Sequence, residues 1–347
     1  MIKVKIQNAT LGRNEITFRP FLQLAPLLKN YSIEITTSDD YDFLFVGMHD
    51  FLDKKKSLSE SIEYGLETLS KIKGDYFLFD GSDSTSLMGA YEVFEQSNAI
   101  YLFKNQILKD KKDYLIPYAF NKWFFLDGTN LDLKYDISQE NWDKIKLSHI
   151  NCGRTIFGQG IPLNPNQLPP IETNKSTDIC AIFQANHPVC TDHLVRNDIP
   201  YTKHRKGLWD ILEPMKSKYS MLTQKMEFNE YLKKLQQSKI CISPFGQGEI
   251  CFRDFEAMLM GTILLKPDQS IIQTAPDIFV EGETYIGCKL DWSDLEEKIE
   301  YIFDNFSELN DKLTTNIRQL ALKEYSYENF CMYYYNIFSN LNNVKKS

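Results

Sequence analysis

"ISPFGQGEICFRDFEAMLMGTILLKPD", from Ile242 to Asp268, decides how the whole chain is read. An apolar run ends in Pro244, and Gly246 and Gly248 follow closely. A helical pattern then carries Glu249, Arg253 and Glu256, and after Gly261 a second apolar run, "TILLKP", begins. Strand, glycine loop, helix and strand in this order make a unit of a parallel α/β sheet, and such sheets bind ligands at the carboxyl ends of their strands. On a helical wheel Glu249, Arg253 and Glu256 fall within roughly one sixth of a turn, and Phe252, Phe255, Met258 and Leu259 lie on the opposite, sheet-facing arc. Gly246 and Gly248 let backbone N–H groups come close to a ligand, and a helix N-terminus favours phosphate. An arginine fork pairs two phosphate oxygens, and a carboxylate accepts from sugar hydroxyls. The plainer alternative is a solvated helix face with a Glu249–Arg253 pair, worth about 0.3 kcal/mol.

Outward from this stretch the alternation continues. "IKVKIQ", "SIEITT", "YDFLFVGM", "DYFLFDGSDS" and "AIYLFK" read as strands, several apolar throughout as strands buried on both faces must be. Between them "FRPFLQLAPLLKNY", "KSLSESIEYGLETLSKIK" and "TSLMGAYEVFEQ" have helical spacing. The pattern weakens from Asp136 to Lys175, where "GQGIPLNPNQLPPIETNKSTD" holds four prolines and reads as a linker. Alternation resumes with "DICAIFQ", "NEYLKKLQQSK" and "ICISPF", and the chain closes on a long helical segment with the aromatic stripe "CMYYYNIF". The expectation is two Rossmann-like α/β domains, residues 1–160 and 161–325, with parallel sheets facing a central cleft. A last helix, 326–347, would cross back to the first domain.

The chain has 347 residues and a net charge of −8, with no basic cluster of the kind a duplex-binding face needs. No apolar run is long enough to span a membrane, and the start lacks a signal-peptide core. The seven cysteines form no C-x-x-C pair, which fits reduced thiols rather than a zinc site. These features point to a cytoplasmic protein without nucleic-acid partners. The tail "VKKS" could touch the inner face of a membrane, although a frayed terminus is the simpler reading.

The segment from Ser238 to Asp268 resembles the donor-binding segment of GT-B glycosyltransferases, in which a strand, a glycine loop and an R-x-x-E-A helix hold a nucleoside-diphosphate sugar. Six residues separate Glu249 and Glu256, one fewer than between the paired glutamates of many retaining members. The match is nearer to exostosin-like and related bacterial polysaccharide enzymes. The resemblance implies donor binding by Gly246, Gln247, Gly248, Glu249, Arg253 and Glu256. Arg253 would lie on the diphosphate and Glu256 on the ribose. His187 and Arg205, near the first loop of the second half, are further donor candidates, with a surface or capping role the alternative for each. It also implies transfer of the sugar to a saccharide or glycolipid acceptor, with no cofactor, no metal, and inversion slightly favoured over retention. An epimerase or phosphorylase on the same fold, or a nucleotide-binding protein without catalysis, are the competing readings.

Inversion needs a base from the first half. Asp80 and Asp83 follow the buried strand "YFLFD", and Lys104 at the next strand end could orient either. Asp83 also has the chemistry of a helix cap. His49 and Asp50 follow "FLFVGM" and are the second pair of candidates.

Overall fold

The structure, a computed structural model, describes residues 1–8, 13–51, 57–119, 121–124, 132–149, 168–184 and 200–346. Two parallel sheets organise it. The first contains β1 (Ile2–Ile6), β2 (Ile33–Thr36), β3 (Phe43–Gly47), β4 (Tyr76–Asp80) and β5 (Tyr101–Lys104), with β9 (Ile145–Leu147) at its far edge, in the order β2-β1-β3-β4-β5-β9. The second contains β10 (Thr177–Cys180), β11 (Met221–Leu222), β12 (Ser238–Ile242), β13 (Ile263–Pro267) and β15 (Ile286–Cys288), in the order β11-β10-β12-β13-β15. Each sheet therefore starts in its interior and reverses direction once, between β1 and β3 and between β10 and β12. Such reversals open a crevice at the strand ends, where ligands sit.

Both faces of each sheet are covered, which is why the strands are nearly continuously apolar. In β3 the pleat sends Phe43 and Phe45 to one side, and Leu44 and Val46 to the other. The phenylalanine side is packed by α1 (Arg13–Gln23), α2 (Ala25–Asn30) and α11 (Tyr327–Lys346) through Phe18, Phe21, Leu28, Phe330, Tyr334 and Phe338. Phe338 stacks on Phe43 and Phe77, at ring distances of 6.0 and 5.6 Å. The other side is covered by α3 (Leu58–Leu69) and α4 (Ala90–Glu95). A short helix, α5 (Gln139–Lys144), leads into β9. The second sheet lies between α6 (Pro200–Met215) and α9 (Leu295–Asp304) on one face and α7 (Phe228–Gln236) and α8 (Phe252–Met260) on the other. α10 (Phe306–Glu324) contributes to both layers.

The long C-terminal helix expected from the sequence is two helices, broken at Tyr325 and Ser326. The helix expected over 85–96 begins only at Ala90, because Gly89 sits at a φ of 81° and Thr85 is engaged elsewhere. Cys180, Cys241, Cys288 and Cys331 are buried free thiols.

The two sheets are joined by more than chain connection. β6 (Gln106–Leu108), from the first half, pairs antiparallel with β14 (Ile272–Thr274), from the second. A small hairpin of β7 (Tyr118–Ala119) and β8 (Asp132–Leu133) precedes and follows Trp123 and Phe124, whose rings pack on Phe245 at 5.6 and 5.1 Å.

Candidate functional site

β12 runs into residues 243–251 and then α8. Asp254, in the first turn of α8, is fully buried and organises this connection. It accepts from the Ser243 hydroxyl, from the Cys251 N–H at 2.9 Å and from Lys266 Nζ. Lys266, also fully buried, donates in addition to the Glu249 carbonyl at 2.9 Å. Because Cys251 is extended (φ −113°, ψ 157°), the helix starts at Phe252. This corrects two placements made on the helical wheel. Glu249 is not on the α8 face, and Phe252 does not pack on the sheet but is 54% exposed. The α8 N-terminus already carries the Asp254 carboxylate, and the Gly246 N–H donates to the Gly248 carbonyl at 2.9 Å. Those amides are therefore satisfied within the loop.

Beside the loop lies a cavity of about 710 Å³, a size suited to a small-molecule ligand. Its lining is polar at Arg205, Arg253, Lys225, Gln184 and the loop residues Gly246, Gln247 and Gly248, and includes Asp83 of the first half. It is apolar at Ile182, Met226, Phe228, Tyr231 and Phe252. The guanidinium carbons of Arg205 and Arg253 each lie 5.9 Å from the centre of the Phe183 ring, a cation–π distance. Arg205 is oriented by donating to the carbonyls of Phe245 (2.8 Å) and Gln184 (3.0 Å). Arg253 donates to the Ser243 hydroxyl at 3.3 Å, and no carboxylate among the described residues forms an ion pair with it. Glu256 also lines the cavity; Tyr231 donates to it at 2.8 Å, and burial pushes its carboxyl up. Arg205, Lys225 and Arg253 put three cations on the lining, and with no carboxylate among the described residues ion-paired to Arg253 the cavity suits an anion with several oxygens.

The first-half candidates separate cleanly. Asp80 is 4% exposed and accepts from Lys104 Nζ, the Ser82 N–H and the Ser82 hydroxyl. Burial pushes its carboxyl up, but Lys104, His49 and the Ser82 amide outweigh that and hold it below the usual range. A carboxylate so fully engaged is a poor base, and it lies outside the cavity lining. His49 and Asp50 are half-buried at the sheet-reversal point, where Asn8 donates to Asp50 at 3.1 Å, and neither lines the cavity. Asp83 does line it. His187 lies outside the described residues.

Glu249 has a different place from the one expected. It is fully buried and accepts from the Thr85 N–H (3.0 Å), the Thr85 hydroxyl (2.7 Å) and Gln106 Nε2 (2.9 Å), all from the first half. Lys122, likewise from the first half, donates to the Gln247 carbonyl at 2.6 Å. Lys266 and its Asp254 partner were not singled out from the sequence. The signal was a lysine inside the apolar run "TILLKP", since a buried cation needs a carboxylate.

No protein-family model matches the chain, and no curated protein matches it. Solved structures do resemble it. HepE of Anabaena, crystallised with UDP-glucose, superposes over 98% of this chain and 100% of its own, with a TM-score of 0.50 at 9% identity. Sucrose-phosphate synthase of Thermosynechococcus elongatus covers 97% of this chain and 82% of its own, with a TM-score of 0.48 at 13% identity. With two parallel sheets that each reverse once and a likeness to HepE running the full length of both chains, this protein has the GT-B fold.

Proposed function

We propose that the protein is a glycosyltransferase that moves a sugar from a nucleoside-diphosphate sugar to a saccharide or glycolipid acceptor. The observation that carries this is the pair of guanidiniums, Arg205 and Arg253, beside a glycine loop in a cavity that Asp83 of the opposite half also lines. The arginines would take the diphosphate, and their two charges supply what a metal ion would otherwise contribute to the leaving group. Glu256 would accept from a ribose hydroxyl, and the exposed rings of Phe228 and Phe252 offer a surface for the base. The donor then belongs to residues 161–325 and the acceptor to residues 1–160.

Asp83 is the base this geometry favours, because of the four candidates it alone lines the cavity. It would take the proton of the acceptor hydroxyl as that oxygen bonds to the anomeric carbon and the bond to the diphosphate breaks, inverting the centre. HepE was crystallised with UDP-glucose, so uridine compounds are the first to try. Calorimetry with UDP in chelator-treated buffer tests the donor site. Release of UDP from UDP-glucose, stimulated by an added saccharide, tests transfer. An absence of binding by UDP, GDP, TDP and ADP alike would remove the reading.

A further inference from the structure

Glu249 has no place in the donor chemistry just described, yet it is among the most constrained carboxylates in the molecule. It follows the glycine loop, is fully buried, and among the described residues every hydrogen-bond donor to its carboxylate comes from the opposite half. Both oxygens are used: one takes the Thr85 hydroxyl, and the other takes the Thr85 amide and Gln106 Nε2. Gln106 Nε2 also donates to the Asp83 carbonyl at 2.6 Å, so one amide group links Glu249 to the backbone of Asp83. Gly248 also abuts that carbonyl: a Cβ there would lie 1.3 Å from the Asp83 oxygen. The backbone of Asp83 is thus clamped between the glycine loop and the residue that follows it.

We infer that Glu249 is a positioning residue: its carboxylate holds the 82–86 segment of the first half against the glycine loop, and so fixes where Asp83 enters the donor cavity. The physical basis is the strength of hydrogen bonds to a buried anion, together with the cost of leaving that anion unsatisfied if the segment moved away. Glutamine at this position keeps the volume but not the charge. With its oxygen toward the Thr85 amide and Gln106 Nε2, and its NH₂ toward the Thr85 hydroxyl, which turns to accept, the contacts remain as neutral hydrogen bonds about half as strong as charge-assisted ones. The substitution therefore loosens the 82–86 segment, and Asp83 with it, while leaving Arg253 and Arg205 in place.

The inference rests on the proposed role of Asp83 only for its kinetic consequence, and the experiment separates the two. Glu249→Gln and Thr85→Val are compared with wild type by hydrogen exchange, by UDP calorimetry and by UDP release from UDP-glucose with a saccharide acceptor. Exchange across 82–86 should rise about tenfold or more in Glu249→Gln while β13 stays protected, as local opening requires. UDP affinity should stay within about threefold, and release should slow by about tenfold with the loss in kcat rather than KM. In the double variant Glu249→Gln/Asp83→Asn, release should be no slower than in Asp83→Asn alone, because a residue acting through another is not additive with it. Unchanged exchange at 82–86 overturns the inference, as do additive losses or a UDP affinity weakened about tenfold or more, the last placing Glu249 at the donor itself. Should Glu249→Gln fail to fold, Thr85→Val carries the same test, since it deletes one donor and keeps the Thr85 amide. If wild type binds no UDP, the transfer reading falls and the exchange comparison still decides the role of Glu249.

Discussion

Gly248→Ala makes the sharpest test of how the two halves meet. The added Cβ would fall 1.3 Å from the Asp83 carbonyl oxygen, 2.1 Å from its carbon and 2.9 Å from the Ser84 nitrogen. All three are backbone atoms, so no side chain can swing aside. Restoring a tolerable contact needs a separation of about 1.7 Å between the glycine loop and the 83–84 backbone. That exceeds what the bonds to Glu249 and Gln106 can stretch, since they already span 2.6 to 3.0 Å. Losing two hydrogen bonds to a buried carboxylate gives a cost of roughly 3–6 kcal/mol. For a chain of this size that corresponds to a fall in melting temperature of about 4–8 °C. Gly246→Ala is the control. Its Cβ would meet Arg205 Nη2 at 3.3 Å and Cys251 Sγ at 3.4 Å, both side-chain ends, so stability should change by less than about 1 kcal/mol while the shifted Arg205 weakens UDP binding. Scanning calorimetry and UDP titration on both variants read the difference. If Gly248→Ala melts with wild type, the Asp83 backbone does not rest on Gly248, and the argument for a clamped first-half segment is refuted.

Three further outcomes are expected. Arg253→Ala should weaken UDP binding by about 1.5–3 kcal/mol, and lysine should restore only part of it because it lacks the planar fork; an unchanged Kd by calorimetry would take Arg253 out of the site. Asp83→Asn should slow transfer by about 100-fold or more, to a rate that is still measurable, at an unchanged melting temperature, whereas Asp80→Asn, which strands the fully buried Lys104, should cost about 3–5 kcal/mol in denaturant unfolding. Burial and the charge of Arg205 push His204 down to about 3, so its neutral Nε2 accepts the Phe245 N–H. The unfolded chain takes up a proton below about pH 6.5 that the folded chain refuses, so stability should fall by about 2 kcal/mol between pH 7 and 5. His204→Gln should flatten that slope, and equal slopes in urea titrations would contradict the assignment.

What could be read from the sequence is what depends on local pattern. "YDFLFVGM" and "YFLFD" are apolar at every pleat position because both sheet faces are covered, and they became β3 and β4. The loop after β12 was legible because glycine between strand and helix is a local signal. Glu249 was misplaced because its spacing from Arg253 and Glu256 satisfies a helical wheel equally well. What decides its position are Thr85 and Gln106, 164 and 143 residues away. The same holds for β6 and β14, whose three-residue lengths show no period and whose pairing lies between halves. The first-half bases could be nominated from strand ends, yet only the course of the 81–86 segment separates Asp83 from Asp80, and that course depends on the buried Lys104 reaching Asp80, Ser82 and the Ser86 carbonyl.

The position of α11 has a consequence for biosynthesis. The strands that carry Phe43, Phe45 and Phe77 leave the ribosome early, and the Phe338 and Tyr334 that cover them are translated only after the whole second sheet. Until then Phe18 and Phe21 of α1 cover Phe45 and Phe79, but Phe43 and Phe77 lack the Phe338 ring they stack on, an aromatic surface of the kind chaperones bind and aggregates grow from. The first half therefore completes its core only once this late segment has been made. Synthesised as a separate fragment, residues 1–160 would lack this cover permanently, and supplying α11 in trans is the natural route to rescuing them.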